Sequence, residues 1–312
     1  MQTKKLRSDT VVLLSCFNFF KNPAREQALH RSLISLQGVA DVILVCHGVA
    51  IAALPSRDNL QVIDVPQASV VWQKERFFNL ALQYLKPRHR YVGWSDSDLM
   101  YANGDWIDQL KTALQAHHLV QLFDAVWDVE LQQNGAYRLT ETVRESAVKL
   151  LVTGQIGSEE FFTRSGVSLR MGCNPGMAWG ARADLIRDIG FPDFMLLGSG
   201  DKLMLAAAMH RTTDYCEILG LNSGLQDTCY AWAERASGHI QKKIGYIDNT
   251  LCHIAQGDYE NRQYGHRYAS IRNGRFELDR YLFVNPYGAW QWRSEDNDYA
   301  RAIKRYFYER GD

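Results

Sequence analysis

The sequence predicts an α/β protein: a mostly parallel central sheet flanked by helices, with an irregular C-terminal segment. Three observations carry this. Through the first hundred residues, short apolar runs alternate with stretches of helical spacing, the pattern of strands joined by crossover helices. The apolar runs are almost unbroken, as strands buried on both faces require. A hydrophobic share of 46% with 12% aromatics is enough for a large core and excludes a disordered chain.

The elements follow in order. "TVVLLSCFN" reads as a buried strand, and "PAREQALHRSLISLQ" as a helix with proline near its start. "DVILVCHG" is a strand closed by glycine, and "NLQVIDVP" a shorter one stopped by proline. "VVWQKERFFNLALQYL" has helical spacing, "RYVGWSD" is again a strand, and "GDWIDQLKTALQAHH" a helix. "RLTETVRESAVKLLVTG" also reads as helical, and a glycine-rich cluster from Gly172 to His210 surrounds two further helical segments. From Cys252 onward the chain is polar and aromatic, with little regular periodicity. No internal repeat, low-complexity segment or linker divides it, so one domain over 1–312 is expected.

Lys plus Arg and Asp plus Glu number 35 each. A formal charge of zero gives no global reason to expect nucleic acid or an anionic membrane, although a local basic patch stays compatible with it. The six cysteines form no C-x-x-C pair, which favours reduced thiols over zinc or a disulfide framework. The opening "MQTKKLRSDTVVLLSCFNFF" has a short apolar run, an interrupting Asp9 and no small-residue cleavage site. It therefore reads as a first strand rather than a signal peptide. Nothing approaches the ~18 apolar residues of a membrane span, so a cytoplasmic location is expected (host cytoplasm if phage-encoded).

The stretch "RYVGWSDSDLMYANGDWIDQL" ends an apolar run in two aspartates, Asp96 and Asp98, separated by Ser97. In an extended chain both would project to one side. Two carboxylates that close repel unless water or a cation screens them. A solvated turn is one reading. The other is a hard divalent cation carrying a diphosphate, at the carboxyl end of a strand where α/β sheets bind ligands.

The strand-ending Asp-x-Asp after a Lys-Glu-Arg-x-x-Asn helix resembles the GT-A class of nucleotide-sugar glycosyltransferases, more narrowly its family-2-like and galactosyltransferase-like bacterial or phage members. "NPGMAWGARADLIRDIGFPD" resembles the segment of that class that cups donor sugar and acceptor. "GSGDK" falls where its members place an acidic catalytic motif, and "LCHIAQGDYENRQYGHRYASI" resembles their C-terminal His-Gly…Arg-x-Tyr stretch. The resemblance implies a GT-A-like domain with a nucleotide-sugar-binding half at 1–110, an acceptor half at 111–251 and a lid or tail at 252–312. The implied activity is metal-dependent, inverting transfer of a hexose from a nucleotide diphosphate, with a UDP-sugar as the expected donor.

Roles then follow by position. Asp96 touches ribose or metal, Asp98 holds the metal, and His253 completes its shell. A neutral imidazole suits Mn²⁺ better than Mg²⁺. Asp201 is the candidate base that takes the acceptor hydroxyl's proton; at a helix start it has an alternative role as a cap. Lys202 follows it where related enzymes often carry a second acid. Arg76 and Asn79, one helical turn apart, are expected to face the nucleotide, with Lys74 and Glu75 on a solvated face. Arg262 and Arg267 suit a lid closing on diphosphate, and Trp179 a stacking platform, with core packing as its alternative. Trp290 and Trp292 read as packing.

Two acceptors are open: a glycan, or a hydroxymethylated base in DNA. The second is suggested by the phage-like motif and by a basic tail containing Arg262, His266, Arg267, Arg272, Arg275 and Arg280. A non-catalytic nucleotide or carbohydrate binder on the same fold is the alternative. A sugar-nucleotide pyrophosphorylase fits less well, since "SCFNFFKNPA" after the first strand lacks a glycine-rich phosphate loop.

Overall fold

The structure, a computed structural model, describes residues 8–132, 136–163, 173–254, 267–272 and 276–310. Its strands are β1 (Thr10–Phe17), β2 (Asp41–His47), β3 (Leu60–Asp64), β4 (Tyr91–Asp96), β5 (Leu99–Tyr101), β6 (Leu119–Gln121), β7 (Ala125–Leu131), β8 (Tyr137–Ser146), β9 (Cys173–Asn174), β10 (Ala178–Arg182), β11 (Ile244–Tyr246), β12 (Thr250–Ile254), β13 (Leu282–Val284) and β14 (Trp290–Trp292). The helices are α1 (Pro23–Ser35), α2 (Lys74–Leu82), α3 (Trp106–Ala113), α4 (Ala147–Val152), α5 (Ser158–Phe161), α6 (Ala183–Ile189), α7 (Gly200–Ala208), α8 (Thr212–Leu219), α9 (Ser223–Ile240), α10 (Leu278–Tyr281) and α11 (Asp298–Arg310).

Seven strands form the main sheet in the order β11-β6-β10-β4-β1-β2-β3. All its pairings are parallel except those of β10, which runs against both neighbours. The mostly parallel α/β sheet predicted from the sequence is thus the one observed. β1 is buried along its whole length, and its alternate residues enter different cores. Val11 and Leu13 pack with Phe77 and Phe78 of α2, whereas Val12 and Leu14 pack with Leu29 and Leu33 of α1 and Trp106 of α3. A strand covered on both sides must be apolar at every position.

The chain leaves β1 toward β2 and β3, then returns to place β4 on the other flank of β1. That reversal opens a crevice at the carboxyl ends of β1 and β4, and Asp96 is the last residue of β4. A second sheet, β5-β12-β7-β8-β9, begins three residues later. Its register sets His253 of β12 beside Leu99 of β5 on one flank and Asp128 of β7 on the other.

Two segments differ from their sequence patterns. Of the stretch read as helix around residues 138–154, only Ala147–Val152 is helical; Tyr137–Ser146 is a strand paired antiparallel with β7. Thr140, Thr142 and Val143 are β-branched and favour extended backbone, and the helical part begins only where Ser146 caps it by accepting from the backbone N–H of Lys149. The C-terminal stretch also holds more regular structure than its composition suggests: a β13–β14 hairpin and the 13-residue α11. Ala300, Ile303 and Phe307 form a narrow apolar stripe on α11. Phe307 packs against Phe19 and Trp72, and the two tryptophans of β14 are buried. No helix of the described residues is long and apolar enough to cross a membrane.

Candidate active site

One cleft, with an atom-free volume of about 760 Å³, lies over the crevice at the end of β4. Asp96, Asp98, Asp201 and His253 all line it, together with Lys74, Arg144 and Lys202. The sheet register explains the meeting. Asp96 closes β4, Asp98 opens the turn into β5, and β12 carries His253 back alongside β5, where the backbone N–H of Ile254 donates to Asp98 O at 2.9 Å.

His253 is buried, and each ring nitrogen faces a carboxylate. Nε2 lies 3.5 Å from Asp98 Oδ2, and Nδ1 lies 2.7 Å from Asp128 Oδ1. The Arg144 guanidinium approaches Nδ1 at 3.3 Å and is also ion-paired to Asp128. Nδ1 can serve only one partner. The shorter contact assigns its N–H as donating to Asp128, leaving Nε2 directed at Asp98 and the cleft. Burial alone would push the imidazole down, but Asp98 and the bond to Asp128 outweigh it and hold it up at about 9, so the free ring carries both protons near neutral pH and a cation at Nε2 would have to displace one of them. Burial likewise disfavours charge on Asp128, yet His253 and Arg144 keep its carboxyl below the usual range.

These groups fit a divalent cation by their chemistry: one carboxylate oxygen, one imidazole nitrogen, and a carboxylate behind the imidazole that fixes its tautomer. Among the described residues no three His, Cys, Asp or Glu side chains converge on one point. A cation held by Asp98 and His253 would need its other positions filled by phosphate oxygens and water, as is common for hard cations. Replacing Asp128 with asparagine, which frees the ring to turn, is expected to weaken Mn²⁺ binding by about 10–100-fold, read by titration calorimetry.

Asp96 has a different partner. Lys74 Nζ donates to Asp96 Oδ1 at 2.8 Å and to Asp201 Oδ2 at 2.6 Å, so one ammonium ties the end of β4 to the start of α7. Lys74 is only 6% exposed. Burial opposes its charge, but Asp201 and Asp96 raise its pKa well above that of an ordinary lysine. The expectation that Lys74 and Glu75 face solvent is corrected here. Both lie under the cleft because α2 is turned so that Phe77, Phe78 and Ala81 meet the sheet, and their positions fall on that inward side.

Glu75 is 3% exposed, and its Oε1 has no hydrogen-bond partner among the described residues. Burial, opposed by Lys74 and assisted by Asp201, raises its pKa from 4.5 to about 8, so near neutral pH it is mostly protonated. Gly200 makes room for it: a Cβ there would stand 2.2 Å from Glu75 Oε1. The linkage has a definite sign. A carboxyl whose folded pKa lies above its unfolded one holds a proton that the unfolded chain releases, so its contribution to stability falls as pH climbs from 4.5 toward 8. Thermal melts from about pH 5 to about pH 9 should show a smaller decline for Glu75→Gln than for the native chain.

The loop before α7 is held by a clamp. Gly198 and Ser199 both have positive φ, 82° and 86°, a conformation costly for serine. Arg267 donates to the Ser199 hydroxyl, and Tyr268 Oη donates to Gly198 O at 2.7 Å. Arg267 thus lines the cleft through contact with the Asp201 loop, and Arg262 lies outside the described residues.

Three residues expected at the nucleotide sit elsewhere. Arg76 and Asn79 do act together, but on Asp193, each at 2.9 Å, and Asn79 also exchanges bonds with the backbone of Phe191. They fasten the 191–193 loop to α2, and neither lines the cleft. Trp179 is fully buried in β10, packed in the core rather than offered to a ligand. A tryptophan that does line the cleft is Trp72, next to Arg310, whose guanidinium carbon lies 5.0 Å from its ring. Asp128, Arg144 and Trp72 have no motif of their own, and Lys74, although it opens the Lys-Glu-Arg-x-x-Asn helix, reads from the sequence as part of its solvated face. The available signal for Lys74 was a charged residue between Trp72 and Phe77 on an apolar helix face.

No protein-family model and no curated protein sequence matches the chain. Solved structures similar to it include glucosyl-3-phosphoglycerate synthase from Mycobacterium tuberculosis in complex with Mn²⁺, UDP and phosphoglyceric acid, at 12% identity and a TM-score of 0.45 over 86% of this chain and 79% of that one. TarS 1-349 from S. aureus in complex with UDP-GlcNAc matches at 16% identity and 0.41, over 96% and 72%. The 4-diphosphocytidyl-2C-methyl-D-erythritol synthase of Anaerococcus prevotii matches at 10% identity and 0.37, over 83% and 95%. The likenesses are distant, and the reading below rests on the site's own geometry.

Proposed function

We propose that this protein is a metal-dependent, GT-A-like glycosyltransferase that moves a sugar from a UDP-sugar to a hydroxyl acceptor. The observation that carries the proposal is the Asp98–His253 pair, 3.5 Å apart and oriented by Asp128, at the carboxyl end of the strand where the sheet order reverses. A bound Mn²⁺ or Mg²⁺ would neutralise charge developing on the departing nucleoside diphosphate.

The chain's own residues divide the remaining work. Asp98 and His253 would hold the cation, and Arg144, set against the Asp128–His253 pair, keeps the imidazole in place. Lys74 fixes Asp96 and Asp201 relative to each other by donating to both. Asp201, which lines the cleft, is a candidate base for the acceptor hydroxyl, which would make the transfer inverting. The same ammonium occupies Asp201 Oδ2 at 2.6 Å, so acceptor binding would have to loosen that contact or use the other oxygen. Burial raises the pKa of Asp96, and Lys74 opposes that shift. Because Asp96 Oδ1 already accepts from Lys74 at 2.8 Å, Asp96 is assigned to the ribose or to orienting Lys74 rather than to the metal. The acceptor classes remain a glycan hydroxyl and a hydroxymethylated DNA base.

A donor panel tests the reading. Release of a nucleoside diphosphate from one nucleotide sugar, sustained by Mn²⁺ and abolished by EDTA, is the expected result. Nucleotide binding with no turnover of any donor, with or without acceptors, would instead identify a non-catalytic binder.

A further inference from the structure

The amino-terminal end of β4 carries a cluster of a different kind. The loop "KPRHR" delivers Lys86, Arg88, His89 and Arg90 to the start of the strand, and the end of β10 and the helix α6 bring Arg182 and Arg187 beside Arg90. Arg90, Arg182 and Arg187 line one cavity with His89, Tyr91 and Asp184, an open space of about 550 Å³. Tyr91 and Asp96 are the two ends of the six-residue β4, about 17 Å of strand apart, so the cavity is separate from the cleft.

The charges here are not internally matched. Asp41 takes Arg88 and His89, and Asp9 takes Lys111. Arg90, Arg182 and Arg187 are exposed and form no ion pair among the described residues. The one acid lining the cavity among the described residues is Asp184, against the three arginines. Two guanidinium groups are already held by backbone carbonyls: Arg182 Nη2 donates to Leu114 O at 2.6 Å, and Arg187 Nη2 to Leu85 O at 3.4 Å. Such anchoring positions the remaining N–H groups before any ligand arrives and reduces the entropy lost on binding. The cavity floor is also fixed, because Asp41 holds His89 and Asp9 O accepts from the backbone N–H groups of Arg90 and Tyr91.

We propose that Arg90, Arg182 and Arg187 form a phosphate-binding site, separate from the sugar-transfer cleft, that takes a phosphate group of an extended anionic ligand. Guanidinium forks match phosphate oxygens in pairs, and three around one open cavity suit a phosphate that continues into a chain. Two sources share that chemistry: the backbone of a nucleic acid strand and a small di- or polyphosphate.

The experiment uses the full chain with two probes, pyrophosphate and a fluorescent single-stranded DNA of about 20 nucleotides, at about 50 and about 200 mM salt. The native protein should bind at the lower salt. The triple variant Arg90→Gln, Arg182→Gln, Arg187→Gln should bind at least about tenfold more weakly, with the slope of log K against log salt reduced by about two. Arg90→Gln alone, whose side chain makes no hydrogen bond among the described residues, guards against a folding artefact and should lose part of the affinity. Lys304→Gln with Arg305→Gln, on the exposed side of α11, controls for general charge and should change neither affinity nor slope. Binding of both probes identifies a nucleic acid strand as the source, and binding of pyrophosphate alone a small phosphate ligand; either supports the site. Failure of the native protein to bind either probe at low salt would overturn it, as would an equal loss in the α11 control. Donor cleavage in the triple variant should be unchanged, which keeps this result distinct from the fate of the sugar-transfer reading.

Discussion

Replacing Lys74 with alanine is expected to lower the stability of the fold by about 3–5 kcal/mol, the usual cost of removing one partner from a buried ion pair. The ammonium is the shared cation of Asp96 and Asp201, at 2.8 and 2.6 Å, and without it two carboxylates are left facing each other beside Glu75. Part of the Asp96 side chain reaches the cleft, so water relieves some of the cost and the lower end of that range applies if water enters. Coupling distinguishes this account from simple loss of packing. Asp201→Asn should cost less in the Lys74→Ala background than in the native chain, because the lysine it answers is already gone. Urea denaturation of the four proteins measures the cycle; additive effects would mean that the two residues do not act as a unit. Lys74→Ala is also expected to lose donor cleavage, since both carboxylates lose their fixed positions.

The second large effect is chemical. Asp98→Ala and His253→Ala should each lower metal-dependent donor cleavage by about 10²–10³, since a bound cation supplies several kcal/mol of charge stabilisation in the transition state. Their effect on melting should be smaller than that of Lys74→Ala, because Asp98 lies at the open side of the cleft and Arg144 keeps Asp128 paired in the histidine variant. The double variant should be little worse than either single one, since both remove the same ion. Steady-state rates at saturating Mn²⁺ would check this, with an additive double variant counting against a shared site.

The residues that were legible in the sequence are those whose role depends on strand ends. Asp96, Asp98 and His253 each close or follow an apolar run, and the sheet rule places such ends at the cleft without any knowledge of side chains. Asp201 was legible as the acid after a glycine-serine-glycine turn. What escaped was orientation about a helix axis. The four-residue run Lys74–Phe77 fits two rotations of α2, and the one-turn spacing of Arg76 and Asn79 favours the one that puts those two at the ligand. The fold instead buries Lys74 and Glu75 because their charges find compensation, or a proton, inside. Arg144 and Asp128 escaped for another reason: they meet across β7 and β8, and a strand read as helix cannot deliver them. The narrow stripe of α11 escaped because charged residues outnumber apolar ones along it.

Binding of Mn²⁺ followed by electron paramagnetic resonance, with and without UDP, tests the central claim most directly. The native chain should take up one Mn²⁺, more tightly when UDP is present, because the diphosphate supplies ligands that Asp98 and His253 leave open. Asp98→Ala should lose that uptake while keeping its fold. Equal Mn²⁺ binding by the native chain and the variant, or binding indifferent to UDP, would contradict a cation held between Asp98, His253 and a nucleoside diphosphate.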